Sequence, residues 1–557
     1  MKNKVYVADF ETSYENSHTW VYAYGLCALY SERVKIGKTL DDFMSWVLNS
    51  DSKTVYFHNL KFDGKFILYW LLKHEYTYDD KCSSPNSYTH LIDTMNNYYT
   101  IKVAYLYKGK KRTTTFLDSY KKLPFSLAKI AKDFNIEEQK LDYDYDKVRH
   151  EGYTLTPEEE EYLRHDVIIL RKAMEITEEQ GMTKMTIGSN ALAFYKKTVD
   201  KGDINFKNIF PHIDDEVDDF LRNAYKGGCT ILKRGEGNKV HHIYSYDVNS
   251  MYPAQLRYQS MPWGMPKYFT GKYKPDKKYP LYVQHIKCEF YIKENKIPCV
   301  QIKKSVFFSP NEWLENSAIR VDLYLTNLDL ETFLDSYDTI DLEYVDGYMF
   351  KAHKGLFNEY IDYWYDVKKN SDNKSMVTIA KLHLNSLYGK FGTAPKKKRL
   401  TFQLEDNKLK RKDVIIDDVR TVYLPIAIFV TSYARNFLIK CINANYDSFV
   451  YCDTDSIHLK EPAHDIPIDD KMLGYFKFEY SGYGKYLKQK CYLMHFDKEF
   501  IKGGVTAKLV CAGLTQSLLD PSDYEFDNFY IGREYRKLKQ QNVEGGTYLA
   551  EQTHKII

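Results

Sequence analysis

Residues 451–459, YCDTDSIHL, place Asp453 and Asp455 one residue apart at the end of an apolar run of Phe449, Val450 and Tyr451. Alternation along a strand puts both carboxylates on one side, and a turn here puts both at its tip. Like charges this close repel, and burial raises the cost. Taken alone, the stretch reads as a hairpin with an aspartate-rich polar tip. The reading with chemical consequence is a divalent-metal site, because hard cations want carboxylate oxygens at close range.

Working outward, a second acidic strand end stands about 200 residues earlier, in SYDVNSMYP, where Asp247 closes the strand-like run HHIYSYD. One such aspartate is a weak signal. Two strand-end acidic sites brought together by the fold could hold two metal ions that stabilise the attacking and leaving oxygens of an in-line phosphoryl displacement. A third acidic set lies near the start: Asp9 and Glu11 in ADFET, Asp63 in HNLKFDGKF, and Tyr162 with Asp166 in YLRHD. A spacing of two puts Asp9 and Glu11 on one side of a strand, and a spacing of four puts Tyr162 and Asp166 on one helix face. Tyr162 is one of 51 tyrosines, and the acids could be ordinary surface residues. The full set of four carboxylates and a phenol instead predicts a second two-metal, hydrolytic site, with Tyr162 orienting the attacking water.

The chain has 557 residues, too many for one compact core, so several domains are expected. Hydrophobic residues at 44% and charged residues at 28% suit a soluble globular protein. Its 79 basic and 76 acidic residues nearly cancel, so any surface for nucleic acid must be local. The nine cysteines are scattered without CxxC or zinc spacing, which predicts a reduced, cytoplasmic protein. MKNKVYVADFETS lacks the apolar core of a signal peptide, and the longest apolar candidate, VYLPIAIFV at 422–430, is too short for a membrane span.

The first 180 or so residues alternate strand-like segments (VYVADFE, KTVYFHNL) with helix-like ones (FDGKFILYWLLKH, TPEEEEYLRHDVIILRKAMEIT), the pattern of an α/β domain. Thr156, Pro157 and the acids that follow form a helix start. Short strands and prolines occupy roughly 240–350, a long helical stretch 354–392, and TFQLEDNKLKRKDVIIDD reads as a solvated hairpin. The last 50 or so residues, with DPSD as a turn signal, read as a small terminal module.

These residues together resemble the protein-primed family B DNA polymerases of small tailed bacteriophages, over nearly the whole chain. DVNSMYP (247–253), KLHLNSLYGKFG (381–392) and YCDTDS (451–456) resemble that family's polymerase motifs A, B and C. DFET, HNLKFDG and YLRHD resemble its three exonuclease motifs, YKGG (225–228) the tyrosine–glycine linker of the two activities, and KCY (490–492) its Lys-x-Tyr motif.

The resemblance implies an α/β and α+β multidomain fold: an RNase H-like 3′→5′ exonuclease domain plus a right-hand polymerase of palm, fingers and thumb with two terminal-protein-region insertions. It implies exonuclease at 1–186, palm at 187–258 and 424–510, insertions at 259–352 and 394–423, fingers at 353–393 and thumb at 511–557. The enzyme would be a DNA-directed DNA polymerase replicating a linear viral genome from a protein primer, processively and with strand displacement, and proofreading 3′→5′. Two Mg²⁺ ions would serve each site, with Mn²⁺ as a substitute. Asp247, Asp453, Asp455 and the Val248 carbonyl would hold the polymerase pair; Asp9, Glu11, Asp63 and Asp166, with Asp142 auxiliary, would hold the exonuclease pair. Lys369 and Lys381 would neutralise the triphosphate, Tyr252 would exclude a 2′-hydroxyl, and Tyr388 with Asn385 would support the nascent base pair. Thr12, His58, Asn59, Phe62, Ser119 and Tyr145 would contact single-stranded DNA, with Lys140 near the exonuclease centre. Tyr225, Gly227, Gly228, Arg435, Lys490 and Tyr492 would contact DNA, terminal protein or the metal-site backbone.

Implied partners are primer-template and single-stranded DNA, dNTPs, the terminal protein and other DNA-binding replication proteins, in the cytoplasm of an infected bacterium, with the polymerase a monomer away from membranes. The sequence departs from the family pattern at Tyr120, His383 and Cys491, and matches it least over 511–557. A DNA-primed relative without a protein primer, or a silent DNA-binding scaffold, are the competing readings. The two insertions speak against the first, and the seven principal carboxylates against the second.

Overall fold

The computed structural model of the protein describes residues 4–145, 147–201, 205–303, 305–501, 503–512, 521 and 524–556. Of the DPSD turn signal only Pro521 lies among them.

The N-terminal layer is an eight-stranded sheet in the order 34–37, 18–28, 4–15, 53–57, 110–118, 98–107, 87–92, 77–78. Strand Lys4–Glu15 pairs in parallel with Lys53–Phe57 and antiparallel with His18–Ala28. It is buried on both faces, which is why it reads as apolar rather than alternating. Ala8 and Phe10 enter a cluster with Phe43, Phe57 and Leu68, while Val7 packs on the other face against Leu163 and Val167 of helix Pro157–Glu179. The spacing of two carries Asp9 and Glu11 to Val7's side, toward that helix. The helix begins where the sequence predicts: Thr156 and Glu159 form a reciprocal capping box, Pro157 occupies the first turn, and Glu158–Glu160 face the positive end of the dipole.

The second large sheet has seven strands in the order 507–511, 491–496, 476–488, 240–248, 456–459, 449–453, 230–232. Helix Leu424–Ala444, with Pro425 in its first turn, buries Ile428, Phe429 and Val430 in one core cluster and Leu438, Ile439 and Ile442 in another. It contains most of the apolar stretch noted above; among the described residues no helix is long and apolar enough to cross a membrane. Strands Ser260–Thr270, Tyr337–Lys354, Leu281–Ile292 and Val321–Thr326 form a separate four-stranded sheet in that order.

The single helical stretch expected at 354–392 is two helices, Asn358–Asn370 and Lys374–Phe391. Asn373 interrupts it by taking the N-cap position, where its side chain accepts from the N–H groups of Ser375 and Met376. The expected hairpin is present as Lys396–Glu405 and Lys408–Asp418, turning at Asp406 and Asn407 with φ of 51° and 55°, but it is not solvated throughout: Leu400, Phe402 and Leu409 are buried in the cluster of Phe57 and Phe66. A last hairpin, Glu534–Val543 with Gly546–Lys555, returns to the N-terminal layer: Tyr548 stacks on Tyr14 at 3.6 Å, and the Thr19 N–H donates to the Glu544 carbonyl at 2.9 Å. The two hairpins also touch, Asn542 donating to the Leu409 carbonyl at 2.8 Å.

Candidate active sites

In the seven-stranded sheet, Asp247 sits opposite Ser456 on antiparallel strands, so the register alone brings it beside the tip of the hairpin that carries Asp453 and Asp455. Thr454, with φ of 62°, makes the tight turn. Two main-chain bonds lock it: the Val248 N–H donates to the Asp455 carbonyl at 2.8 Å, and the Thr454 N–H donates to the Cys229 carbonyl at 2.7 Å. Burial, then the Asp455 charge, push the Asp247 carboxyl up to about 8; burial, then Asp453, push Asp455 up to about 6. The two side chains are held where ionising both is costly, and a cation between them would reverse that cost.

Asp453 has partners of its own. The Lys490 ammonium donates to both its oxygens at 2.7 Å, and the Thr230 hydroxyl adds a third bond at 2.9 Å. Lys490 is held in turn by its backbone N–H donating to the Tyr451 hydroxyl at 3.1 Å.

Over this tip lie Tyr252, from the short helix Met251–Tyr258, and Tyr388, from Lys374–Phe391, with ring centres 4.2 Å apart. Lys381 and Asn385 are exposed on the second helix, one turn apart. Lys369 is exposed, while the preceding lysine is the one aimed at the site: Lys368 donates to Ser250 at 2.9 Å. At Gly228 a Cβ would lie 2.7 Å from Thr454 Oγ1, so the linker presses directly on the aspartate turn; Tyr225 presses likewise on Gly392, while Gly227 and Gly389 have open space.

The N-terminal set also converges. Burial, then Asp166, push Asp9 up to about 7; burial, then Asp9, raise both Glu11 and Asp63. Asp166 Oδ1 is buried without a hydrogen-bond partner. Its other oxygen accepts from Lys140, whose ammonium also donates to the Tyr162 hydroxyl at 2.7 Å; the Tyr145 hydroxyl meets Tyr162 at 2.6 Å. Tyr145 is 69% exposed. Thr12 and Phe62 are half-buried and Asn59 is exposed.

Both carboxylate sets fit divalent cations by their donor chemistry and, at Asp166, by an orphaned buried oxygen. Among the described residues no three acidic, histidine or cysteine groups close a coordination shell by themselves.

Several sequence-based assignments are corrected by burial. Arg435 is 1% exposed; it donates to the carbonyls of Lys226 and Gly227 and to both oxygens of Asp329, so of its two expected contacts the structure shows the one to main chain beside the aspartate turn, and burial keeps it from phosphates. His58 spends both ring nitrogens on Ser119 and the Phe125 carbonyl, and burial lowers it to about 4, leaving it neutral. Ser119 is buried and donates to the Phe57 carbonyl, so its hydroxyl and both His58 ring nitrogens are already partnered inside the fold. Tyr492 packs inside an aromatic cluster with Tyr451 and Tyr486. Asp142 is exposed. The sequence reading missed Asp118 and Glu479, whose charges bear on Asp63 and on the Asp247–Asp455 pair, and Tyr143, whose hydroxyl meets Tyr22 at 2.6 Å. Only Glu479 had a sequence signal, as an acid in FKFEY on a strand beside Asp247.

A two-carboxylate strand tip under a helix bearing an exposed lysine, joined to a second acidic site on an α/β layer, is the architecture of a polymerase with an accessory nuclease-like domain. The family described as DNA polymerase type B, organellar and viral, matches residues 45–154 and 149–472, and the chain belongs to it. Within that family it stands with phage enzymes. It is 39% identical to the DNA polymerase of Bacillus phage phi29, over 100% of this chain and 99% of that one, and 33% identical to that of Streptococcus phage Cp-1, over 99% and 98%. The solved structure of phi29 DNA polymerase complexed with primer-template DNA and incoming nucleotide superposes with a TM-score of 0.93 at 39% identity, covering 100% of both chains. Divalent-metal dependence comes with this family.

Proposed function

We propose that this DNA polymerase copies a linear phage genome from a terminal-protein primer inside the infected bacterial cell, displacing the opposite strand, and that its N-terminal layer proofreads 3′→5′. The observation that carries the two-activity reading is the pair of separate carboxylate sets, each buried enough to raise its acids well above their ordinary range. The phi29 structures with primer-template DNA, incoming nucleotide and single-stranded DNA support the same ligands here.

At the sheet tip, Asp247, Asp455 and the Val248 carbonyl would hold Mg²⁺, which when bound supplies charge neutralisation for the transferring phosphoryl group. Lys381 and Lys368 would meet the triphosphate, and Tyr252 would close the space beside the sugar C2′, so that a ribose hydroxyl meets the ring. Lys490 holds Asp453 in place and orients the primer strand. In the N-terminal site Asp9, Glu11, Asp63 and Asp166 would hold the metal. Tyr162, fixed between Lys140 and Tyr145, would orient water toward the terminal phosphodiester. Asn59, Phe62, Thr12 and Tyr145 would receive the frayed end by stacking and hydrogen bonds. The sheet at 260–354 and the hairpin at 396–418 would serve protein priming and retention of DNA.

One gel tests this: a 5′-labelled primer on a longer template with Mg²⁺, with and without dNTPs. Extension with dNTPs and 3′ shortening without them is the expected result. Extension without any shortening would remove the nuclease assignment.

A further inference from the structure

Two thiols are left over by the chemistry above. Cys491 and Cys511 face each other on antiparallel strands Cys491–Phe496 and Ala507–Cys511, with their sulfurs 3.2 Å apart. The flanking pair is hydrogen-bonded, the Ala512 N–H donating to the Lys490 carbonyl at 2.7 Å. Cys491 and Cys511 are therefore a non-hydrogen-bonded pair, the position where cross-strand side chains approach most closely and where the Cα spacing suits a disulfide. Cys491 is buried, whereas Cys511 is half-buried and open to a small oxidant. Cys229 and Cys452, the next closest described thiols at 3.9 Å, are sealed in the core.

The placement matters because Cys491 stands between Lys490, which grips Asp453, and Tyr492, which packs beneath it. Cys511 ends the strand that leads into the C-terminal part of the chain. We propose that Cys491 and Cys511 are a peroxide-sensitive dithiol, and that their oxidation to a disulfide throttles primer extension by tying the Lys490 strand to its neighbour. The hydrogen bond between the sulfurs, aided by the nearby Lys488, holds the Cys491 thiol below its ordinary range. The thiolate of one cysteine attacks a peroxide oxygen, the O–O bond breaks, and hydroxide leaves and takes up a proton as water. The other sulfur then displaces the sulfenic hydroxyl, the S–S bond forms, and a second water departs with that thiol's proton. The two thiols lose two electrons and peroxide gains them. A dithiol reaching the half-buried Cys511 sulfur would reopen the bond by thiol–disulfide exchange.

The inference rests on primer extension by the site beside Lys490, so the experiment reads chemistry and activity separately. Full-length protein is treated with hydrogen peroxide, alkylated, digested without reductant and weighed, and the same samples are assayed for extension and 3′ shortening. The expected result is a peptide pair joined through Cys491 and Cys511, with extension about tenfold slower, as a fraction-of-an-ångström displacement of a substrate-positioning group produces. Shortening is unchanged and dithiothreitol restores extension. Cys491→Ser and Cys511→Ser each extend at the untreated rate and ignore peroxide. Absence of the joined peptide, full-rate extension by the joined protein, or an equal loss in both serine variants overturns the proposal. Failure of the untreated, reduced protein to extend would count against the polymerase site itself, while the joined peptide is still read by mass.

Discussion

Replacing Gly228 by alanine should damage polymerisation without touching the metal carboxylates. An added Cβ would lie 2.7 Å from Thr454 Oγ1, 2.8 Å from its Cγ2 and 3.0 Å from its Cβ. Reaching an ordinary contact near 3.4 Å requires about 0.7 Å of movement. Thr454 cannot swing aside: it is β-branched, its φ is already 62°, and its N–H is bound to the Cys229 carbonyl at 2.7 Å. The turn itself must shift, and Asp453 and Asp455 flank it. Overpacking of this kind costs about 1–3 kcal/mol of stability. A displacement of the metal-holding tip by roughly half an ångström should slow extension by about ten- to a hundredfold. The assay is single-turnover nucleotide addition beside 3′ shortening on the same primer, with shortening expected unchanged. Gly228→Ala combined with Thr454→Gly removes the clash and relieves the positive φ, so it should recover most of the rate. Wild-type extension by Gly228→Ala, or no recovery in the double variant, would refute the reasoning.

Three further outcomes are expected. Asp455→Ala should reduce extension by about three decades, ~4 kcal/mol of lost transition-state stabilisation, and spare 3′ shortening, while Asp9→Ala should do the reverse; a labelled-primer gel in which either variant loses both activities equally would argue against two independent centres. Tyr252→Val opens the space beside Tyr388 and should raise ribonucleotide incorporation at least about tenfold, measured by competing dNTP and rNTP; unchanged sugar discrimination would remove Tyr252 from that role. Asp247, Asp455 and Asp9 are raised to about 8, 6 and 7, so the folded protein binds these protons more tightly than the unfolded chain does. Their contribution is therefore full below about 4, the ordinary carboxylate value, and is lost as pH rises from there through about 6 to 8. With chelator the Tm should fall across that window, and Mg²⁺ should restore it more at the alkaline end; a flat chelated Tm, or a pH-independent Mg²⁺ increment, would contradict the raised values.

The acidic sets were legible because strand and helix periodicities place each member before any tertiary contact is known. Asp9 with Glu11, and Tyr162 with Asp166, follow from spacings of two and four, and Asp247 from its place at a strand end. The polar residues around them were less legible, because their fate depends on partners far away in sequence. Arg435 reads equally as a cation for phosphate or for the metal-site backbone until Asp329, 106 positions earlier, turns out to face it in the core. His58 and Ser119 read as contacts for a strand, but they satisfy one another and two main-chain carbonyls. Lys368 and Lys369 cannot be separated in sequence; the roll of helix Asn358–Asn370 decides which faces Ser250.

The C-terminal hairpin closes against the first strands of the chain, Tyr548 on Tyr14 and the Glu544–Gly546 tip against Thr19 and Phe66. During synthesis these surfaces emerge in reverse order of need. At about 5–20 residues per second, the N-terminal layer leaves the ribosome roughly half a minute to two minutes before its cover exists. A nascent or truncated chain therefore carries an uncapped aromatic patch for that whole interval, and a premature stop near the end exposes the beginning.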